Sequence, residues 1–203
     1  MGGKAAPGKA ETALLPPFAG LAPERISIPA SPAEYAAAVA AIRASGAVGF
    51  DTETKPVFAK GVVRPGPDLA QFATGDHAFL FQLQRRDGWS FLVEILGAAD
   101  ILKVGFDLRS DRSLLQQRLG IEVQGVLDLV TVFRRRGYRN TTGIRAAVGI
   151  VLHQGFHKAK RWTTSDWSRL DLHPKQREYA ANDAYAAFRV WDALGRPRPG
   201  RQG

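Results

Sequence analysis

A chain of 203 residues is long enough to bury one full core and too short for two ordinary domains, and its 45% apolar and 23% charged content is that of a folded protein. The absence of cysteine excludes disulfides, thiolate metal sites and a cysteine nucleophile, and suits a reducing, cytoplasmic setting. The net charge of +9 is one-sided: residues 1–102 hold 9 Lys/Arg against 10 Asp/Glu and residues 103–203 hold 19 against 9, so the C-terminal half carries a field suited to a polyanionic partner.

Residues 1–30, rich in Ala, Gly and Pro without a period, are expected to form a mobile arm and an irregular lead-in. Glu11 and the Pro16-Pro17 pair interrupt the one apolar stretch that could act as a secretory signal. Ala6 stands where a myristoylation motif needs Ser or Thr, and no stretch is apolar enough to span a bilayer, so no export and no membrane partner is expected. Ser31-Pro32-Ala33-Glu34 sets a cap, a first-turn proline and an acid ahead of a helix from Tyr35 to Arg43, which Ser45-Gly46 ends.

The apolar run Ala47 to Phe50 reads as a buried strand that ends on Asp51 and Glu53. A loop with Gly61, Pro65, Gly66 and Pro67 leads to two more strands, Leu69 to Ala73 and Ala78 to Leu83. Their tight connections predict three antiparallel neighbours. A short helix from Leu92 to Ala99 and a fourth strand from Ile101 to Phe106 follow. From Arg109 the apolar period becomes helical as far as Gly120, then again over Val126 to Arg136 and Thr142 to Leu152. Pro174 opens a long helix to about Leu194, and the basic tail 196–203 is expected to be disordered. Strands first and helices later predict an α/β unit over 31–195, a central mixed sheet flanked by helices.

Side chains alternate along a strand, so Asp51 and Glu53 point to one face, where two buried carboxylates repel each other unless a cation lies between them. A hard divalent ion with oxygen ligands is the simplest such cation. Asp111 starts a helix just beyond the fourth strand, and Asp183 lies one turn after Tyr179 on the last helix. If these four acids converge, charge balance asks for two divalent ions. The bland alternative pairs Asp183 with Arg189 or Lys175 and leaves the other acids solvated.

Asp51-Thr52-Glu53, then Lys103-Val104-Gly105-Phe106 with Asp111, then Tyr179 through Asp183, resemble in order the tyrosine-bearing branch of the DEDD 3′ to 5′ exonucleases. Leu69 to Ala73 with Gln71, and Thr164 to Ser168, resemble the supporting strand and the lead into the final helix. The resemblance runs from about Ala47 to Leu194. It implies a ribonuclease H-like fold and an exonuclease domain holding two Mg²⁺ or Mn²⁺ ions on Asp51, Glu53, Asp111 and Asp183. It further implies Tyr179 orienting the attacking water, and release of nucleoside 5′-monophosphates from a DNA or RNA 3′ end. Asp107, the rival to Asp111, is expected to cap the helix. Ser113 and Ile144-Arg145 depart from the nearest relatives.

Lys158, Lys160, Arg161, Arg134 and Arg135, with Arg136 and Arg139, are candidate contacts to a nucleic-acid backbone, and Gln71 joins them as the family-type strand glutamine. Phe72, Trp162 and Trp167 could stack bases or pack the core. His153 and His157 lack the intervening acid of a zinc-protease helix, and no phosphate-binding loop or dinucleotide glycine pattern is present. The competing reading is a nucleic-acid-binding module on an inactive nuclease scaffold, which loss of any of the four acids would favour.

Overall fold

The computed structural model describes residues 3–57, 66–138 and 141–200. Gly61, Pro65 and Arg139 lie outside the described residues. Among the described residues six strands form one sheet: β1 (Ile26–Ser27), β2 (Ala47–Glu53), β3 (Leu69–Ala73), β4 (Ala78–Gln82), β5 (Leu102–Gly105) and β6 (Val126–Asp128), in the order β1-β4-β3-β2-β5-β6. β2, β3 and β4 are antiparallel neighbours, as their connections predict. β5 and β6 continue the sheet in parallel from the other side of β2, and β1 joins β4 in parallel. The helices are α1 (Lys9–Thr12), α2 (Pro32–Ser45), α3 (Trp89–Gly97), α4 (Arg109–Leu119), α5 (Leu129–Arg135), α6 (Ile144–Leu152), α7 (Lys160–Thr163) and α8 (Pro174–Ala193).

The period of two sorts β2 between two cores. Val48 and Phe50 join Phe72, Phe81 and the buried faces of α2 and α3, while Ala47 and its same-face neighbours turn toward α8. α8 can lie directly on the sheet because its buried face is small: Ala180, Ala181, Ala184 and Ala187. Its start is fixed by Pro174 in the first turn and by His173, whose ring accepts from the Lys175 N–H while Gln176 bonds back to the His173 N–H.

Several elements differ from the sequence expectation. Val126 to Arg136 is not one helix: Val126–Asp128 pairs with β5, and Asp128 then caps α5 by accepting from the Val130 N–H at 2.9 Å. Continuous apolar residues carry a strand and a following helix equally well. β1 and α7 are two and four residues long, too short for a period to show. The arm expected over residues 1–30 is mostly exposed over its described part but is held at points, with Thr12 buried and β1 hydrogen-bonded into the sheet. The start of the tail is also anchored, since the Trp191 indole N–H donates to the Pro197 carbonyl at 2.8 Å and Arg196 pairs with Asp192 at 2.7 Å.

Candidate active site

β2 sets Asp51 opposite Gln71 and Glu53 opposite Leu69 on the face that meets α8. Asp183 comes down from the middle of α8, 1% exposed, and one oxygen from each of Asp51, Glu53 and Asp183 lies within 4.8 Å of the others. Asp111, in the first turn of α4, stands beside this trio. Its Oδ1 accepts from the hydroxyl of Thr52, the residue between the two strand acids, so three consecutive residues of β2 organise the carboxylates.

The loop that delivers Asp111 is held by Asp128. Its carboxylate accepts from the Asp107 N–H at 3.1 Å and the Leu108 N–H at 3.3 Å while capping α5. Asp107 itself adopts a left-handed φ of 55° and makes no side-chain cap; Leu108 occupies the cap position, so the expected capping role for Asp107 is corrected. The strain suits a residue whose backbone N–H must turn toward Asp128.

Crowding four acids is electrostatically expensive. Burial, then the charge of Asp183, pushes the Asp51 carboxyl up to about 8. Burial and then Asp51 raise Glu53 well above its ordinary value, and burial raises Asp111 and Asp183. The compensating cation is Lys158, whose Nζ lies 2.6 Å from Asp183 Oδ2. Burial disfavours its ammonium, but Asp183 and Asp51 outweigh that and hold it above the usual lysine range. The expected partners of Asp183 are engaged elsewhere: Arg189 on the Tyr185 hydroxyl and Lys175 on Glu178.

Tyr179 lies one turn before Asp183, its hydroxyl 3.0 Å from Thr163 Oγ1 and the Lys158 ammonium 5.4 Å from its ring centre. Burial and then Asp183 push the phenol up to about 12, so it is a neutral donor at any ordinary pH. Among the described residues, the Lys158 ammonium on Asp183 Oδ2 is set against four carboxylates, which leaves an excess of oxygen ligands. An all-oxygen, under-compensated donor set fits a hard divalent cation. A hollow of about 380 Å³ opens from Asp183 and Tyr179 past Trp162, Asn182 and Lys175.

The remaining predicted residues divide. Lys160 and Arg161 are exposed on α7, with Arg161 stacked 4.1 Å from the Trp162 ring centre beside that hollow. Gln71 is wholly buried beside Asp51 with both amide atoms unpartnered among the described residues, so it backs the acids and cannot reach a polymer. Phe72 and Trp167 are wholly buried core residues, which leaves Trp162 as the ring able to stack. Arg134, Arg135 and Arg136 gather at the other end of α8. Arg136 donates to the Leu194 carbonyl, and the helical rise alone separates Leu194 from Asp183 by roughly 16 Å. Asp128 and the Lys158 ion pair were missed in the sequence because each depends on pairing across distant elements.

The 3′-5′ exonuclease family model matches residues 26–197. The human protein named exonuclease mut-7 homolog is 31% identical over 73% of this chain and 20% of its own length. Ribonuclease D of Xanthomonas oryzae is 30% identical over 73% of this chain and 40% of its own. The chain thus spans a fifth to two fifths of these relatives. Among solved structures, the Nibbler EXO domain of Aedes aegypti superposes with a TM-score of 0.71 at 21% identity, covering 86% of this chain and 88% of that one. Ribonuclease D of Trypanosoma brucei, solved with RNA U12, gives 0.70 at 22%, covering 83% and 61%. The mixed sheet and its flanking helices form the ribonuclease H-like α/β fold of these neighbours.

Proposed function

Because the chain belongs to the 3′-5′ exonuclease family, whose model it matches from residue 26 to residue 197, we propose that it hydrolyses single-stranded or frayed nucleic acid from the 3′ end, releasing nucleoside 5′-monophosphates. The observation that carries this reading is the convergence of Asp51, Glu53 and Asp183 within 4.8 Å, with Tyr179 one turn away on the same helix. A similar fold solved with RNA supports a nucleic-acid substrate.

Asp51, Glu53 and Asp183, with Asp111 alongside, would hold two divalent ions, Mg²⁺ or Mn²⁺. Such ions make water nucleophilic near neutral pH and stabilise charge on the leaving 3′ oxygen. The protein's own contributions are positional. Tyr179, protonated, donates from a hydroxyl fixed by Thr163 and orients water at the scissile phosphate. Lys158, permanently charged, offers its ammonium to the same phosphate once Asp183 is engaged. Thr52 and Asp128 hold Asp111 in reach. Trp162 and Arg161 face the terminal bases from the rim.

A time course on matched 3′- and 5′-labelled DNA and RNA strands tests this. Mn²⁺ should give laddering from the 3′ end, and EDTA or Asp183→Ala should abolish it. Strands that are retained but never shortened in Mn²⁺ would instead identify a binding module.

A further inference from the structure

Residues 3–25 precede the stretch matched by the family model, yet they form a wall of the site. The Phe18 N–H donates to the Gly155 carbonyl at 3.1 Å, and the Gly155 N–H to the Pro16 carbonyl at 2.7 Å. The Phe18 ring packs 5.3 Å from Phe156 and 5.9 Å from Tyr185. The Leu21 N–H donates to Asn182 Oδ1 at 2.9 Å, one residue before the catalytic carboxylate of α8. Farther back, Thr12 sits against Gly149 of α6 so closely that a Cβ on Gly149 would come within 2.8 Å of its methyl group.

This course brings Lys9 to the amino-terminal end of α6. There Lys9, Arg145 and Lys158, from three separate elements, line one hollow of about 270 Å³ that no acid lines. Among the described residues neither Lys9 nor Arg145 has an ion-pair partner, although Arg145 is half-buried. Gly143 precedes α6 at the cap position and offers no side-chain cap, and the helix's positive dipole end opens on the same space. A second hollow of about 360 Å³, also lined by Lys9 and Arg145, continues past His157 and Phe156, which line the acid-side hollow as well. Lys9 and Arg145, gathered beside Lys158 without counter-charges of their own, repel one another, and a polyanion relieves that repulsion. Lys158 joins this basic surface directly to Asp183.

We infer that Lys9 and Arg145 extend from Lys158 as a phosphate track, holding the backbone of a single nucleic-acid strand on the 5′ side of the bond being cut. The inference rests on the exonuclease reading for its direction, since a strand whose terminal phosphodiester lies at the acids passes Lys158 first and then meets Arg145 and Lys9. The leader is then part of the binding surface, not a lead-in to it.

Fluorescence anisotropy with a labelled oligothymidylate of about 12 nucleotides, in EDTA and across about 50 to 200 mM KCl, reads the track directly. Each single-strand phosphate contact contributes about 0.7 to the slope of log affinity against log salt. Lys9→Ala with Arg145→Ala should therefore lower the slope by about 1.4 and the affinity at the low-salt end by roughly tenfold. The loss should be larger for the long strand than for a dinucleotide. Arg134→Ala with Arg135→Ala removes the same charge at the far end of α8 and should leave the slope in place. Lys9→Glu alone, on an exposed side chain, repeats the test should the double variant fold poorly. An unchanged slope, or an equal loss from the distal arginine pair, overturns the track. Displacement of the strand by polyglutamate at equal charge overturns it in favour of an acidic protein partner. If the wild type shortens strands in Mn²⁺ while the slope does not move, the track alone fails. If the slope moves as expected but nothing is shortened, the exonuclease reading fails and the track remains.

Discussion

Gly49 of β2 lies directly beneath Ala184 of α8: a Cβ at Gly49 would stand 2.8 Å from the Ala184 carbonyl carbon and 2.9 Å from the Phe188 nitrogen, both fixed backbone atoms. This contact sets how closely the helix carrying Asp183 approaches the strand carrying Asp51 and Glu53. Gly49→Val should therefore lift α8 from the sheet, costing about 1–3 kcal/mol or more. For a chain of this size that is a fall of several degrees in melting temperature. An unchanged melting temperature would show that α8 slides freely over β2.

Asp183→Asn keeps the shape of the buried side chain but removes a charge from the trio. The rise in melting temperature on adding Mn²⁺ should shrink sharply, and strand hydrolysis should fall by about 100-fold or more. Circular dichroism melts with and without the ion check the first effect independently of the second.

Tyr179→Phe removes the hydroxyl while the ring still packs 6.0 Å from Trp167. Turnover should drop by roughly 100-fold with little change in melting temperature. Because the phenol titrates only near 12, the wild-type rate should show no loss on the basic side, up to about pH 9, that vanishes in the variant.

Without divalent ions the protein should become less stable as pH rises. The Asp51 carboxyl moves from 3.8 when unfolded to about 8 when folded, so across that window the folded state holds a proton that the unfolded chain has released. Its contribution is full below about pH 4 and is lost as pH rises through about 8; the raised Glu53 acts in the same sense. Melting temperatures from pH 5 to pH 8 in EDTA should fall, and Mn²⁺ should flatten or reverse the trend because it binds the deprotonated acids. A rise with pH in EDTA would mean the carboxylates are already ionised in the folded state.

Asp128→Ala should cost about 1–3 kcal/mol, since it removes the α5 cap and two bonds to the loop before α4. It should also weaken hydrolysis by freeing Asp111, whose loop Asp128 holds. Asp128→Asn, which keeps an acceptor oxygen, should recover much of the stability.

The parts of the site that were legible in the sequence are those written in local periods. The alternation of β2 places Asp51 and Glu53 on one face, and the helical turn between Tyr179 and Asp183 stacks them on one side of α8. β6 was hidden because Val126, Leu127 and Asp128 merge with the apolar run of α5. The partner of Asp183 was hidden because electrostatics follows proximity in space: Lys158 is 25 positions away along the chain (183 − 158), whereas the nearer Arg189 and Lys175 face other groups. Likewise the Arg134 to Arg136 run shows its charge in the sequence but not its address, at the wrong end of α8. Gln71 shows the converse, since its type suggested a surface contact and its strand position buries it.

The leader's bonds to Gly155 and Asn182 bracket the segment that carries Lys158 and α7, so the loop supplying the cation paired with Asp183 is braced by the leader. Cutting the chain at residue 26, where the family-model match begins, would keep every motif of the site while knocking away that brace. In this protein the edge of the family model and the edge of the mechanical unit fall at different places.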